Sequence, residues 1–171
     1  MQTLDSVNAT DRDGFVALLV GVFEHSPWVA QRAWQARPFR SLDALHQAML
    51  QAVRSAPHEE QLSLVRAHPE LAGREASDGT LTTASSGEQS RLGLTALSHD
   101  EFQRIAAINH AYHEKFGFPC IVALRLHGNR HTVLAEMASR IDNDTRSEMN
   151  TAIAQIGHIT RGRLENILGI T

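Results

Sequence analysis

The sequence predicts an all-α fold. Apolar residues recur at helical spacing along nearly all of the 171-residue chain. Most of these runs are preceded by a residue that suits a helix cap or by a proline that suits the first helical turn. The clearest run is also followed by a glycine. The length fits one domain that can bury a core. We therefore expect a single domain over residues 1–171, a bundle of about seven to eight helices.

Four helices are predicted in the first part of the chain. TDRDGFVALLVGVFEH opens on a threonine and an aspartate that suit a cap, and its apolar residues fall on one face. SPWVAQRAWQAR has Ser26 as its cap and Pro27 at the first helical position. SLDALHQAMLQAVRSA begins after Ser41. PHEEQLSLVRAH begins at Pro57, and its two glutamates suit the positive end of a helix.

The second part of the chain contains a predicted loop and three clear helices. The polar, aperiodic stretch between Gly73 and Ser85 reads as a loop, and loops this long are often functional. LSHDEFQRIAAINHAYHEKFG follows, with Ser98 and Glu101 as a capping box and Gly117 as its stop. FGFPCIVALRLHGN is ambiguous and could contain a short extended segment. RHTVLAEMASRI and the terminal run from DTRSEM onward return to helix.

Composition limits the classes of partner. Sixteen basic residues stand against 19 acidic ones, so no basic excess favours nucleic acid. The single cysteine, Cys120, rules out an intramolecular disulfide and is compatible with a reducing compartment. The polar N-terminus is unlike a secretory signal, and the longest apolar run is too short to span a bilayer. We expect a soluble, cytoplasmic protein with no nucleic-acid or membrane partner.

The triplet His68-Pro69-Glu70 ends one predicted helix. Proline at position 69 disfavours helical backbone at His68, so the imidazole should lie at the helix terminus on a stiff backbone. The negative end of the helix dipole favours an imidazolium, which could donate a proton near neutral pH. A histidine that simply caps the last carbonyls would show the same pattern.

Ser85, Glu88 and Gln89 lie together in the stretch SSGEQ. Ser85 as a cap with Glu88 three residues later would form a capping box. The serine, carboxylate and amide could equally bind a polar ligand beside the free N–H groups of a helix start.

Three further features carry possible chemistry. His110 and His113 lie one helical turn apart, but a metal site would need a third ligand from elsewhere in the chain. FGFPCI combines Gly117 with Pro119 and resembles a rigid backbone loop that could line a pocket for a planar ring. HITRGRLENIL contains two arginines, and the guanidinium fork suits a carboxylate.

Four motifs in this order resemble one known family. AHPELAG, then SSGEQSRLGL, then NHAYHEKFGFPCIVALR, then RLENIL are similar to the 2-oxo-4-hydroxy-4-carboxy-5-ureidoimidazoline (OHCU) decarboxylases of urate breakdown. The resemblance covers essentially the whole chain. It implies an all-helical enzyme without a cofactor or metal, usually a homodimer, that converts OHCU to (S)-allantoin and CO2.

The resemblance also implies roles for individual residues. His68 matches the catalytic histidine, and Glu88 matches its acidic partner. The matching substrate-binding positions are Pro69, Ser85, Gln89, Phe118, Pro119, Ile121 and one of Arg161 and Arg163, of which Arg163 fits the family's RL pair. Cys120 departs from the family pattern, which more often has phenylalanine there. His68 would act as an acid or as a base.

Other readings remain open. A metal-dependent hydrolase could use His68, Glu70, His110 and His113, and a non-catalytic helical module would lack a polar pocket. A relative acting on a similar ureido acid would share every motif. The Trp28, Trp34 and Phe39 region is apolar enough for either a dimer face or the core.

Overall fold

The protein is described by a computed structural model over residues 2–170, and these residues form helices with no strand among them. Ten α-helices, α1 to α10 in chain order, span Leu4–Ala9, Arg12–Leu19, Pro27–Ala33, Leu42–Arg54, His58–Arg66, Arg74–Asp78, Thr83–Arg91, His99–Phe116, Arg130–Arg140 and Thr145–Leu168. Short 3₁₀ turns occur at Trp34–Ala36 and Leu124–Leu126. Eight of the ten described α-helices have seven or more residues. The predicted all-α class is confirmed, and the eight longer helices match the predicted number of about seven to eight.

Local capping signals place several helix ends as predicted. Helix α3 begins at Pro27, and the Ser41 hydroxyl accepts the Ala44 N–H at the start of α4. Helix α8 has the reciprocal capping box of Ser98 and Glu101, and it ends at Gly117 with φ of 73°. The backbone N–H of Ser98, helped by an arginine side chain, lowers the pKa of Glu101 to about 2. These ends follow from groups within one helical turn.

Two features near the N-terminus differ from the prediction. Helix α1, whose cap is Thr3, lies in a polar stretch without a clear apolar period. Helix α2 ends at Leu19, although the apolar run continues. Val22 and Phe23 are almost completely buried beyond a turn in which the Val22 N–H donates to the Leu19 carbonyl. The apolar pattern that predicts a longer helix α2 therefore continues beyond Leu19, but the backbone there forms a turn.

The stretch between Gly73 and Ser85 is more ordered than the sequence predicts. Helix α6 occupies Arg74–Asp78 and ends at Gly79 in the left-handed conformation. Helix α7 is capped by Thr82, whose hydroxyl accepts the Ser85 N–H at 3.3 Å. Of the two readings of Ser85, the one that makes it the helix cap is wrong, because Thr82 three residues earlier takes that role. Ser85 and Glu88 therefore both lie inside the helix.

The described residues group into two compact units. The first, here called unit 1, contains residues 2–67 and 157–170. Helix α3 packs against α2 and α4, and Phe15 contacts both Trp34 and Phe39, with ring centroids 5.4 and 6.1 Å away. Phe39 is 4% exposed and belongs to this core, whereas Trp34 is half-buried.

Unit 2 contains residues 68–156. Helix α8 packs against α9, and Tyr112, Phe116 and Phe118 form a cluster of aromatic rings with centroids 4.5 to 5.9 Å apart. The boundary between the two units falls within α10, after Ile156. Within residues 2–170, no helix combines the length and apolarity needed to cross a membrane. The single domain over 1–171 stays a prediction.

Candidate functional site

The turn that carries His68 is tightly constrained. His68 is 6% exposed and follows the end of α5 by two residues. Ala72 has a φ of 48°, a left-handed conformation that costs a non-glycine residue energy. The Gly73 N–H closes the turn on the Glu70 carbonyl. A Cβ at Gly73 would lie 2.6 Å from the Glu70 Cβ, so the turn requires glycine there.

Gln89 on α7 binds this turn with both ends of its amide. Its Oε1 accepts the Ala72 N–H at 2.9 Å, and its Nε2 donates to the Glu70 carbonyl at 3.5 Å. Gln89 is 2% exposed and Ala72 is 6% exposed, so the shorter bond is shielded from water. The amide therefore attaches α7 to the backbone immediately after His68 and Pro69.

Asn109 on α8 holds the same turn from a second helix. Its Nδ2 donates to the Leu71 carbonyl at 2.9 Å, and both residues are buried. Asn109 lies on the buried face of α8 with Ile105 and Tyr112. Two helices thus fix the backbone that positions the imidazole.

The polar residues predicted on α7 share one face of that helix. Ser85 and Gln89 are four residues apart, and Glu88 is three residues from Ser85, spacings that bring side chains together on a helix. Ser85 is 3% exposed, whereas Glu88 is half-buried. Because Gln89 contacts the turn after His68, this face of α7 lies beside that turn.

The segment 117–123 runs without helix or strand from α8 to a 3₁₀ turn. Phe118, Pro119 and Ile121 are buried, and their role in lining a pocket stays a prediction. Arg91 at the end of α7 donates to the Leu124 carbonyl, which attaches the 3₁₀ turn that directly follows this segment to the helix that carries Glu88. The predicted site residues of unit 2 thus belong to three elements joined by hydrogen bonds from α7.

Cys120, the departure from the family pattern, lies in the same segment. Burial raises the pKa of its thiol to about 12. The thiol therefore stays protonated near neutral pH and serves as an apolar side chain.

The two candidate arginines belong to unit 1 and differ in their surroundings. Arg163 is 6% exposed, and its Nη2 donates to the buried Glu24 carboxylate at 3.0 Å. Arg161 is more exposed and is paired with Asp43 and Glu165. Arg161 is therefore a partly exposed residue with two carboxylate partners, whereas Arg163 is buried with one buried carboxylate partner.

Two of the three histidines of the metal-site alternative, His110 and His113, line an open cavity of about 540 Å³ on unit 2, and His68 is not among its lining residues. His110 and His113 face it together with Glu70, whose carboxylate is 4.0 Å from the His113 Nδ1. Across residues 2–170, no three histidine, cysteine or acidic side chains converge as a metal site would require.

Sequence reasoning missed Asn109 and Arg140, which contact the backbone of the predicted site segments. Both are polar residues at buried positions of otherwise apolar helix faces, α8 for Asn109 and α9 for Arg140. A polar residue within an apolar stripe was the available signal, because a buried polar group needs a partner.

Comparison with known proteins agrees with the motif order. The family described as OHCU decarboxylase matches residues 8–165. The 2-oxo-4-hydroxy-4-carboxy-5-ureidoimidazoline decarboxylase of Haloferax volcanii is 40% identical over 95% of this chain and 94% of its own length. The protein of the same name from Mus musculus is 38% identical over 95% of this chain and 91% of its own.

A solved structure supports the same grouping. The crystal structure of (S)-allantoin synthase is similar to this chain with a TM-score of 0.78 and 25% identity, over 98% of this chain and 54% of that one. The motifs, the helical fold and the full-length relatives agree: this chain belongs to the OHCU decarboxylase family.

Proposed function

We propose that this protein is a carboxy-lyase of urate degradation that converts OHCU to (S)-allantoin and CO2 without a cofactor. Membership of the family supports the reaction, and the names of the similar proteins support its substrate and product. The observation in the structure that carries the proposal is the pair of hydrogen bonds from Gln89. They bring the helix with Glu88 to the turn with His68.

The reaction needs little besides positioned acid–base groups. The bond between C4 and the carboxylate breaks, CO2 leaves, and the electron pair moves toward the adjacent C5=N bond. The nitrogen of that bond takes up one proton as it receives the electron pair. The 4-hydroxyl then loses its proton as C4 becomes a carbonyl, and C5 gains one proton, so the ionised substrate takes up one proton overall. The substrate thus supplies its own electron sink, a role for which other decarboxylases use a cofactor.

His68 and Glu88 perform the proton transfers in this proposal. His68 either removes the proton of the 4-hydroxyl or delivers one to C5, and Glu88 orients the hydroxyl and the imidazole. The burial of His68 and its stiff turn support this role because a fixed acid–base group loses little entropy on reaching the reacting atoms. Delivery of the proton to one face of C5 sets the handedness of allantoin.

The ring of the substrate is bound by Ser85, Gln89 and the segment with Phe118, Pro119 and Ile121. These five residues are buried, so their polar groups and backbone are shielded from bulk water. Hydrogen bonds to a planar ureido ring are stronger in such surroundings.

Substitution of His68 tests the catalytic assignment. We expect His68→Asn and Glu88→Gln to lower the turnover of freshly generated OHCU by about 10²-fold or more with the helical signal retained, since general acid–base catalysis contributes about 10²- to 10⁴-fold. His110→Asn, at an exposed histidine, should keep wild-type turnover. Full activity of His68→Asn would contradict the assignment.

The same assay separates the alternatives. Loss of activity in His110→Asn, or in EDTA, would favour the metal-dependent hydrolase. A helical module without a polar pocket would show no thermal stabilisation by (S)-allantoin, whereas a ligand that binds the native state raises its melting temperature.

One arginine binds the substrate carboxylate, and we assign Arg163 because the family resemblance matches its RL pair with Leu164. Arg161 is the alternative, and it is paired with two carboxylates on unit 1. Arg163→Lys keeps the charge but loses the bidentate fork, so we expect a raised KM. Arg161→Lys serves as the matched control and should leave KM unchanged. The opposite pattern would reverse the assignment.

A homodimer and a cytoplasmic location complete the proposal. The homodimer rests on the resemblance to the family, and the location is compatible with a single, buried cysteine. Light scattering on the eluted protein tests the first, since a monomer mass would contradict it. Cell fractionation tests the second.

A further inference from the structure

Side chains, rather than regular backbone pairing, hold the segment 117–123. The Ile121 carbonyl accepts a hydrogen bond from Arg140 Nη1 at 2.5 Å. The Ala123 N–H donates to Gln155 Oε1 at 2.7 Å. Buried backbone groups outside helices and strands need such partners, and here they come from α9 and α10. The conformation of the segment therefore depends on those side chains.

Arg140 is fixed in place by a buried carboxylate. Its Nε donates to Glu148 Oε1 at 2.6 Å, and the two residues are 5% and 0% exposed. The Tyr112 hydroxyl donates to the same oxygen at 2.5 Å, and Asn143 Nδ2 donates to the other oxygen at 2.8 Å. With its charge paired and its Nε bound, the planar guanidinium has one orientation, and in that orientation Nη1 meets the Ile121 carbonyl.

The chemistry of this group indicates more than packing. Apolar side chains of similar volume often stabilise a core as well as a buried ion pair does, so such a pair is weak support for a role in stability alone. A guanidinium spans two acceptors at a fixed angle, which an apolar side chain cannot do. Here one acceptor is its buried counter-ion Glu148 and another is the backbone of the predicted ring-binding segment, while Nη1 also donates to the half-buried Glu136 carboxylate at 3.3 Å.

We propose that Arg140 is a positioning residue for the decarboxylation: through the Ile121 carbonyl it sets the backbone that binds the substrate ring. This rests on the proposed function, since Arg140 acts only on the segment assigned there. Arg140 touches neither the reacting carbon nor the proton-transferring groups in this scheme. Its loss should therefore weaken substrate binding more than it slows the chemical step.

The first test compares Arg140→Lys with Tyr112→Phe. Lysine keeps a positive charge near Glu148 but has no planar fork to reach both acceptors. We expect KM for OHCU, and Kd for (S)-allantoin, to rise about tenfold, within the range that a displaced binding group produces, while kcat stays within about threefold. Tyr112→Phe removes another bond to the same carboxylate but leaves the Ile121 contact, so its KM should match the wild type.

A second comparison covers the case in which Arg140→Lys does not fold. Arg140→Met with Glu148→Leu, made in the Tyr112→Phe background, replaces the buried charges with apolar side chains. Against Tyr112→Phe alone, it should show the same tenfold rise in KM with a comparable melting temperature.

Each result decides the question. Unchanged KM in either arginine variant, whatever its melting temperature, overturns the positioning role. An equal rise in KM for Tyr112→Phe would also overturn it, because a loosened core would then account for the effect. If the wild type forms no allantoin from OHCU, the proposed function fails first and the inference fails with it.

Discussion

Replacing Gln89 with methionine removes both ends of the amide that holds the turn after His68. Methionine has a similar volume and is flexible, so the change leaves little cavity behind. The Ala72 N–H, which is buried, loses its acceptor, and the Glu70 carbonyl loses a weaker bond of 3.5 Å. The experiment therefore isolates the cost of an unsatisfied backbone donor.

The expected loss of stability follows from those two bonds. A buried donor left without an acceptor costs about 1–3 kcal/mol, and the long bond to the Glu70 carbonyl adds little. For a chain of this length, each kcal/mol lowers the melting temperature by about 2–4 °C, so we expect a decrease of about 2–12 °C. Turnover should fall as well, since the same turn carries His68.

Thermal denaturation followed by circular dichroism measures this change. Gln51→Met is the matched control because Gln51 is exposed on α4 and the same atoms are exchanged. Surface substitutions of this kind usually alter stability by less than about 0.5 kcal/mol. The reasoning fails if the two variants melt together, since the Gln89 amide would then contribute nothing to holding the turn.

Three further predictions concern stability. Gly73→Ala places a Cβ 2.6 Å from the Glu70 Cβ, so it should lower the free energy of unfolding by about 1–3 kcal/mol. Gly87→Ala in α7 meets no atom within 4 Å, so it should raise the free energy of unfolding by about 0.5–1 kcal/mol. Urea denaturation compares the two variants, and equal midpoints would refute the packing argument. Burial and, after it, the positive charge of Arg161 lower the pKa of His46 below 6.5, so the unfolded chain binds the extra proton first. Stability should therefore fall as pH drops below 6.5, and His46→Gln should flatten that fall in urea titrations at pH 7 and pH 5; an unchanged fall would contradict the assignment. The carboxyl of Glu101 has a pKa of about 2 in the folded protein against 4.5 in the unfolded chain, so its contribution to stability is present above pH 4.5 and lost as pH falls toward 2. Glu101→Gln should therefore lose less stability over that range than the wild type. Identical dependence of the free energy of unfolding on pH in the two proteins would contradict the assignment.

Helix ends were predictable where their determinants are local. Ser41, the Ser98–Glu101 capping box and the left-handed Gly117 each act within about one turn of the chain, so the letters alone locate them. The same locality made Ser85 misleading. It has the sequence pattern of a cap, but Thr82 competes for the same helix start and holds it.

The predicted site shows the same division. The order of the motifs was sufficient to identify the family, because it depends only on the sequence of residue types along the chain. The contacts that build the site are not local. Gln89 lies 17 residues from Ala72, and Arg140 lies 19 residues from Ile121. Their partners are backbone groups, which are chemically alike at every position, so residue identity gives no indication of which one is bound.

The sequence by itself determined that the chain is helical, where most helices begin, and to which family it belongs. Only the tertiary structure decided that Gln89 and Asn109 hold the turn after His68, and that Arg140 holds the segment at Ile121. The physical reason is range. Capping and periodicity act between neighbours on one helix, whereas a buried amide or guanidinium finds its acceptor only after helices distant in sequence have packed together.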